Sequence, residues 1–293
     1  MRVLHLDSGR GMRGGQWQAL RLLEGLQDAG IESILLARAR SPLLARAREK
    51  GFCVEEWSLR AALRLARRCD LIHAHDARSH TLAALASRRP LIVARRVAFP
   101  IRSYWKYNRA ECYIAVSNHV RSVLLEGGIP PERIFVVYDG VPLLKPAHGT
   151  EVLAPENAAD PRKGAALALE AAALAGVPLR LTTDLEHDLP NAALFVYVTY
   201  SEGLGSAALL AMSAAVPVIA SNIGGLREIV RHRADGLLVE NSAFHIAEAI
   251  RELRSNPSLA REFGQRARQS IAEHFTCERM VRQTIEIYRQ VLA

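Results

Sequence analysis

A glycine-rich stretch near the start of the chain, DSGRGMRGGQWQ at residues 7–18, has the composition of a phosphate-binding loop. It follows the apolar residues 3–6 and contains the spacing Gly-x-Gly-x-x-Gly, which begins at Gly9. A strand that ends in glycines lets the backbone approach a phosphate group closely, and the next helix points its N–H groups at the anion. The same spacing is the fingerprint of dinucleotide binding.

The dinucleotide fingerprint also requires an acidic residue at the end of the second strand, where it binds a ribose hydroxyl. Residues 34–37 predict that strand, but Arg38, Ala39 and Arg40 follow it. The carboxylate is therefore absent, while the two arginines suit the additional phosphate of NADP. An NADP-dependent oxidoreductase is therefore one hypothesis, and the rest of the sequence must be used to test it.

Two histidines, His73 and His75, alternate near the end of another predicted strand, so both side chains point to one face of it. With Asp76 they could ligate a metal ion. Histidines in such a place more often line a core or a binding cleft, and the four cysteines show no C-x-x-C pairing. We therefore expect no metal ion and no disulfide.

Strands alternate with helical patterns along the chain, which is typical of an α/β fold whose parallel sheets are covered on both faces. The predicted strands are residues 3–6, 33–37, 71–75, 91–94, 112–116 and 134–138, then 151–154, 179–182, 194–197, 217–220 and 236–239. Two prolines and a glycine interrupt all periodicity at residues 141–150. We therefore predict two domains, residues 1–146 and 147–293, with the terminal helix packing back on the first.

Length, hydropathy and charge limit the class of protein. The 293 residues suffice for two cores, and no apolar run approaches the roughly 18 residues of a membrane span. The chain begins with a predicted strand rather than a leader, so we expect a cytoplasmic protein. Residues 1–150 carry a net charge of +11 and residues 151–293 one of −3. The basic half favours anionic partners.

The stretch SEGLGSAALLAMSAAVPVIASNIGGLREIVRHRADGLLVE, residues 201–240, resembles the C-terminal domain of the family 4 retaining glycosyltransferases of GT-B fold. The shared features are an acidic residue before a glycine-rich turn, a PVIAS segment, a GG-x-x-E-I-V turn and a GLLV strand. In the first half, GGQ at 14–16, DLIHAHD at 70–76, AVSNHV at 115–120 and VVYDGV at 136–141 resemble family landmarks in family order. The likeness covers nearly the whole chain.

The resemblance implies two Rossmann-like domains that face a cleft. The second domain is reduced, because only 37 residues separate Gly164 from Glu202. The implied reaction moves a sugar from a nucleotide-sugar donor to a cell-envelope glycan or glycolipid, with net retention. The nucleotide sugar is a co-substrate, and neither a cofactor nor a metal ion is expected.

The resemblance also assigns roles to residues of this chain. Glu202 would contact hydroxyls of the donor sugar, and Lys163, Arg162 and Arg96 would supply positive charge for catalysis, as the departing diphosphate requires. Two backbone segments would also bind the donor. One is the glycine turn of the first half, and the other is the start of the helix of residues 206–214. These donor-binding residues are Gly14, Gly15, Gly203, Leu204, Gly205 and Ser206.

Several positions depart from the family pattern. The glutamate that the family places on the nucleotide ribose is Leu210 here, and the arginine that usually precedes the lysine is Ala158. The pair Arg95-Arg96 replaces a histidine, and Asp139 replaces an asparagine. A non-catalytic, glycosyltransferase-like binding protein is therefore an alternative, as is the NADP-dependent oxidoreductase.

Basic clusters in the first half indicate the acceptor. We expect contacts to it from Arg10, Arg13, His75, Arg95 and Arg102. Their charge favours an anionic glycan or glycolipid such as a lipopolysaccharide core, with peripheral contact to the inner face of the membrane. Aromatic and basic residues alternate in FPIRSYWKYNR, residues 99–109, but no recognised nucleic-acid motif accompanies them, so no nucleic acid is expected.

Overall fold

The computed structural model describes residues 1–86, 89–101, 104–156, 160 and 163–293. The chain divides into two compact units: unit 1 contains Met1–Gly140 and Cys277–Ala293, and unit 2 contains Val141–Thr276. The division falls after residue 140 rather than after residue 146. Among the described residues, no helix combines the length and the hydropathy that crossing a membrane requires.

Unit 1 is built, in its described residues, on a sheet of seven parallel strands in the order β3-β2-β1-β4-β5-β6-β7. The strands are β1 (Arg2–Asp7), β2 (Glu32–Ala37), β3 (Cys53–Glu56), β4 (Leu71–Ala74), β5 (Leu91–Arg95), β6 (Cys112–Ala115) and β7 (Ile134–Val136). The helices are α1 (Gly14–Asp28), α2 (Pro42–Glu49), α3 (Leu59–Ala66), α4 (Ala77–Ala86), α5 (Tyr104–Tyr107), α6 (Asn118–Glu126) and the C-terminal α13 (Cys277–Leu292), with a 3-10 turn at Pro131–Arg133.

All six strands predicted for the first half are confirmed, and β3 is an additional one. β1 is buried from Val3 to Asp7 because it lies inside the sheet with helices over both faces. β3 has the sequence CVEE and pairs only with β2 at the sheet edge, where its first and last side chains are exposed. Charged side chains suit an edge strand, but they give no apolar run by which to predict one.

Helices α1 and α13 cross closely, which attaches the end of the chain to unit 1. Apolar residues of the two helices form one core cluster with the inner strands: Leu22 and Leu26 from α1, and Met280, Val281, Ile285, Ile287 and Tyr288 from α13. A Cβ atom at Gly25 would lie 2.4 Å from Cγ2 of Val281. The crossing therefore requires glycine at this position.

Unit 2 contains, in its described residues, a sheet of five parallel strands in the order β12-β11-β10-β8-β9. The strands are β8 (Glu151–Pro155), β9 (Leu179–Thr182), β10 (Ala192–Tyr197), β11 (Val218–Ser221) and β12 (Gly236–Val239). The helices are α7 (Ala165–Ala175), α8 (Leu185–Asp188), α9 (Ser206–Ser213), α10 (Leu226–Ile229), α11 (Ala243–Ser255) and α12 (Pro257–His274), with a 3-10 turn at Leu189–Asn191.

Each sheet has one point at which the strand order reverses. In unit 1 the chain moves outward from β1 through β2 to β3, then returns to β4 on the other side of β1. In unit 2 it moves from β8 to β9, then returns to β10 on the other side of β8. The loops after the two strands at such a point diverge and leave a crevice, where open α/β sheets bind their ligands.

Candidate functional site

The crevice of unit 2 lies where β8 and β10 end. Lys163 lies between the end of β8 and the start of α7, and Glu202 lies in the loop of residues 198–205 that leaves β10. Two residues distant in sequence therefore arrive at the same edge of one sheet. These are the residues for which the sequence predicted a donor site.

Glu202 accepts hydrogen bonds from three groups. Its Oε2 accepts one from Nζ of Lys163 and one from the hydroxyl of Tyr197, both at 2.6 Å, and its Oε1 accepts one from the N–H of Gly203 at 3.1 Å. The side chains of Lys163 and Glu202 are 27% and 14% exposed. The carboxylate is thus fixed in position yet accessible to a ligand.

Burial and the neighbouring Glu202 carboxylate raise the pKa of Tyr197 well above its usual range. Tyr197 therefore remains protonated over the physiological pH range, and its hydroxyl continues to donate a hydrogen bond to Glu202. Its position at the last residue of β10 makes it a support for the carboxylate, and no pattern in the sequence indicates this role.

Gly164 brings Lys163 to this carboxylate. The residue has φ of +60° and precedes α7, and a Cβ atom there would lie 2.6 Å from Cγ1 of Val198. Only glycine combines this left-handed conformation with so close an approach. The backbone at Gly164 therefore packs directly on Val198, where the β10 loop begins.

A second close approach fixes the other side of the β10 loop. Gly225 lies in the turn before α10, and a Cβ atom on it would lie 2.0 Å from the carbonyl oxygen of Gly203. The N–H of Gly225 donates a hydrogen bond to the carbonyl oxygen of Glu202 at 3.3 Å. The Gly224-Gly225 pair of the sequence motif thus supports the loop from outside the crevice.

Three polar residues, of which Thr199 and Ser221 are buried, connect the ends of β10, β11 and β12. The Oγ of Ser221 accepts from the N–H of Thr199 at 2.9 Å and donates to Oδ1 of Asn241 at 2.5 Å. Nδ2 of Asn241 donates to the carbonyl oxygen of Thr199 at 2.8 Å. These bonds hold the start of the Glu202 loop against β11 and the residues after β12. Thr199 and Asn241 are additional residues that the sequence did not single out.

Helix α9 begins at the end of the same loop. Its N-cap is Gly205 with φ of +114°, and no side chain caps the helix. The positive end of the helix dipole therefore lies at the end of the Glu202 loop, beside the buried Gly203, Leu204 and Gly205 and the half-buried Ser206, for which diphosphate binding is predicted. Leu210 lies one turn further along α9 and is 5% exposed, so it contributes to the core.

The glycine-rich loop of unit 1 lies at the other crevice, after β1 and β4. Oδ1 of Asp7 accepts hydrogen bonds from the N–H of Gly9 at 2.7 Å and from Nε2 of Gln16 at 3.1 Å. Burial, followed by the charge of Asp76, raises the pKa of Asp7. A Cβ atom at Gly9 would lie 2.5 Å from Nε2 of Gln16, so a larger residue here would displace the end of that side chain. The side chain of Gln16 thus bridges back to the strand end.

The predicted donor and acceptor residues of unit 1 fall into different environments. Arg10, Arg13 and Gly14 are exposed, and Gly15 is half-buried with its Cβ position 3.5 Å from Cδ of Arg96. Arg96 forms an ion pair with Asp139, with side chains 15% and 6% exposed. Arg96 is thus paired with a carboxylate, as Lys163 is with Glu202.

Two of the residues predicted to contact the acceptor are buried in unit 1. Arg95 is 8% exposed, and its guanidinium donates to the carbonyl oxygen of Phe99. His75 is 5% exposed and bonds to His5. The remaining predicted residues, Arg102 and Arg162, lie outside the described residues, as does Ala158.

The arginines after β2 are the residues for which NADP binding was considered. Nε of Arg38 donates to the carbonyl oxygen of Ser8 at 3.1 Å, and its guanidinium lies over the ring of Trp57 at 5.6 Å. Arg40 is exposed with φ of +58°. The guanidinium of Arg38 is therefore engaged with the glycine-rich loop and with Trp57.

Sequence models of two glycosyltransferase families match the chain. The model described as Glycosyltransferase Family 4 matches residues 12–144, and the model described as Glycosyl transferases group 1 matches residues 156–270. The first match lies almost wholly in unit 1 and the second in unit 2.

Curated relatives carry names of the same kind. Alpha-maltose-1-phosphate synthase of Mycolicibacterium smegmatis is 37% identical over 119 residues, which are 38% of this chain and 31% of that protein. The protein of the same name from Mycobacterium tuberculosis is 32% identical over 200 residues, which are 59% of this chain and 52% of that protein. The matches thus span about half the length of these relatives or less.

A solved structure confirms the fold over the whole chain. Anabaena HepE in complex with UDP-glucose matches with a TM-score of 0.89 at 17% identity, over 99% of this chain and 100% of that chain. The two parallel-sheet units are therefore the Rossmann-like domains of a GT-B fold. None of these three relatives is named as an oxidoreductase, so they give that hypothesis no support.

Proposed function

Because the chain belongs to the family 4 glycosyltransferases of GT-B fold, we propose that it moves a sugar from a nucleotide-sugar donor to an anionic glycan or glycolipid. The reaction retains the configuration of the transferred sugar. The observation that carries this proposal is the contact between Lys163 and Glu202 at the strand-order reversal of unit 2.

Lys163 and the start of α9 supply the positive charge that the leaving group needs. A lysine ammonium has three N–H donors, and the contact with Glu202 uses one of them. The diphosphate would bind the remaining donors and the N-terminal backbone of α9. Stabilising charge that develops on a leaving group is commonly the largest contribution to catalysis. Glu202 would accept hydrogen bonds from hydroxyls of the donor sugar.

The donor is a nucleoside-diphosphate sugar, and the match to HepE in complex with UDP-glucose favours UDP as its nucleotide. The proposed reaction uses neither a metal ion nor a cofactor, since Lys163 and the start of α9 would supply positive charge to the diphosphate. The side chain of Leu210 is buried and has no hydrogen-bonding group, so it cannot bind the ribose hydroxyls as a glutamate would.

The acceptor carries phosphate or other negative charge. Residues 1–150 have a net charge of +11, and Arg10 and Arg13 are exposed beside the glycine-rich loop. The mycobacterial relatives are named for the synthesis of a phosphorylated disaccharide, alpha-maltose 1-phosphate. Exposed aromatic side chains around α5 suit contact with a membrane that presents a glycolipid acceptor: Phe99, Tyr104 and Trp105.

A thermal-melting screen with nucleoside diphosphates and NADP, followed by mass spectrometry of reactions with UDP-sugars, tests the function. A nucleotide present at one hundred times its Kd should stabilise the protein by about 2.7 kcal/mol. We expect a shift with UDP and a hexose added to the acceptor, with loss of transfer in Glu202→Gln. A nucleotide shift without transfer to any acceptor would indicate a binding protein, and a shift with NADP alone would indicate an oxidoreductase.

A further inference from the structure

Three histidine side chains meet in the core of unit 1. His5 of β1 and His73 of β4 are direct neighbours in the parallel register, and His75 follows two residues later on the same face. One ring nitrogen from each lies within 4.8 Å of the others. The three residues are 0%, 1% and 5% exposed. We refer to them as the histidine cluster.

The hydrogen bonds of the histidine cluster leave half of its ring nitrogens unused. Nδ1 of His5 and Nε2 of His75 share a hydrogen bond at 3.0 Å, and Nδ1 of His73 bonds to the hydroxyl of Tyr288 at 2.6 Å. Within the described part of the chain, Nε2 of His5, Nε2 of His73 and Nδ1 of His75 are buried without a partner. Buried polar atoms are normally satisfied, so these three nitrogens require an explanation.

Burial favours the uncharged form of all three imidazoles in the histidine cluster. Burial lowers the pKa of His5 to about 3 and lowers the pKa values of His73 and His75 well below their usual range. A neutral imidazole has one N–H and one bare lone pair, and the lone pair is what a metal ion binds. Arg96 is the charged side chain that acts on His73 and His75, and its ion pair with Asp139 offsets its charge.

We propose that His5, His73 and His75 form a binding site for a divalent transition metal ion of the zinc class. Three imidazole nitrogens suit zinc, cobalt or nickel and do not suit magnesium or calcium. Asp76 is not a ligand, because its oxygens accept hydrogen bonds from Ser8 and Ser79. The proposal replaces the expectation that the chain holds no metal ion, and it is independent of the proposed transfer reaction.

Tyr288 orients one ligand of this site. A metal-bound histidine usually hydrogen-bonds through its other ring nitrogen, which fixes both its tautomer and its orientation. If Nδ1 of His73 donates its proton to the hydroxyl of Tyr288, the lone pair of Nε2 faces the cluster. Zinc–nitrogen distances of about 2.0–2.1 Å require the three rings to move slightly closer to one another. Because Tyr288 belongs to α13, the ion would connect β1, β4 and the end of the chain.

The test measures metal content and cobalt spectra of the full-length protein. Protein produced in zinc-supplemented medium should retain about one zinc ion per chain after dialysis, as counted by plasma mass spectrometry. Protein stripped with a chelator and refolded with Co²⁺ should show the visible absorption of a four-coordinate site, which Zn²⁺ displaces. Both signals should disappear in His73→Gln.

Two further variants make the result decisive. Tyr288→Phe keeps all three ligands but removes the hydrogen bond to His73, and it should weaken cobalt binding by about 10- to 100-fold. His80→Gln is the matched control, because His80 is also buried in unit 1 but bonds to the carbonyl oxygen of Lys106. It should bind cobalt like the wild type.

Three outcomes would overturn the proposal. The first is an absence of stoichiometric metal in both preparations. The second is binding that survives His73→Gln but is lost when exposed histidines such as His245 are replaced, which would indicate an adventitious surface site. The third is unchanged cobalt affinity in Tyr288→Phe, which decides the matter even if His73→Gln does not fold.

Discussion

At the scale of single residues, Lys163 is the group on which donor binding depends most. We expect Lys163→Ala to weaken UDP binding more than tenfold, because a charge-assisted hydrogen bond contributes roughly 1.5–3 kcal/mol. Isothermal titration calorimetry measures the Kd. Lys145→Ala is the control, since Lys145 is an exposed lysine of the same unit outside the crevice. Equal affinities for all three proteins would remove Lys163 from the site.

Leu210 provides a second prediction at this scale. Leu210→Glu places a carboxylate among the buried Leu209 and Met212, and burying a charge without a partner costs several kcal/mol. We expect a large fall in Tm without a gain in UDP affinity. The control is Leu174→Glu on α7, where the side chain is 51% exposed. Tighter UDP binding with little loss of stability would instead place the ribose beside α9.

The sequence predicted individual site residues where motif and chemistry coincide. Glu202 and Lys163 could be named because the segments around them resemble motifs of the family 4 glycosyltransferases. Tyr197 and Asn241 could not, since their roles depend on contacts between segments that are distant in sequence. His5 was missed for the same reason, because only the parallel register of β1 and β4 places it beside His73.

At the scale of elements, the crossing of α1 and α13 predicts the sign of the change in unfolding free energy on Gly25→Ala. Glycine to alanine inside a helix normally stabilises it by up to about 1 kcal/mol. At Gly25 we expect the opposite, a loss of about 1–3 kcal/mol, because the new methyl group overlaps the rigid side chain of Val281. Denaturant unfolding measures the change.

The double variant Gly25→Ala with Val281→Ala serves as the control for this crossing. It removes the overlapping atoms, so it should be more stable than the sum of the two single effects predicts. A Gly25→Ala protein that is more stable than the wild type would show that the helices can separate without cost.

Elements with apolar runs were predictable, and those without were not. The inner strands of both sheets are covered on two faces, so their sequences are rich in apolar residues and could be predicted. The edge strand β3 contains two glutamates and has no such signal. The strand order also could not be obtained from the sequence, although it decides which loops meet in each crevice.

At the scale of the whole molecule, the uneven distribution of charge predicts membrane binding. We expect the protein to sediment with anionic vesicles but not with zwitterionic ones, and added salt should reverse this. Replacing Arg10 and Arg13 by glutamine should weaken sedimentation, as should Trp105→Ala near the membrane interface. Equal binding to both vesicle types, or none at low salt, would favour a soluble acceptor.

Two exposed arginines of unit 2, Arg254 and Arg261, provide the control for charge. Replacing both by glutamine removes the same net charge as the changes at Arg10 and Arg13. Sedimentation should remain close to that of the wild type if the basic unit makes the contact. An equal loss in both pairs would show that only the total charge matters.

The position of α13 in unit 1 affects how the protein folds while it is being made. Ribosomes add about 5–20 residues per second, so all of Val141–Thr276 must be synthesised after Gly140 before α13 appears. For roughly ten seconds the nascent unit 1 exposes the apolar surface that Val281 and Tyr288 later cover. Unit 2 is continuous in sequence and can complete its fold first. We therefore expect a chaperone that binds nascent chains to engage the first half of this protein, and to release it once α13 has emerged.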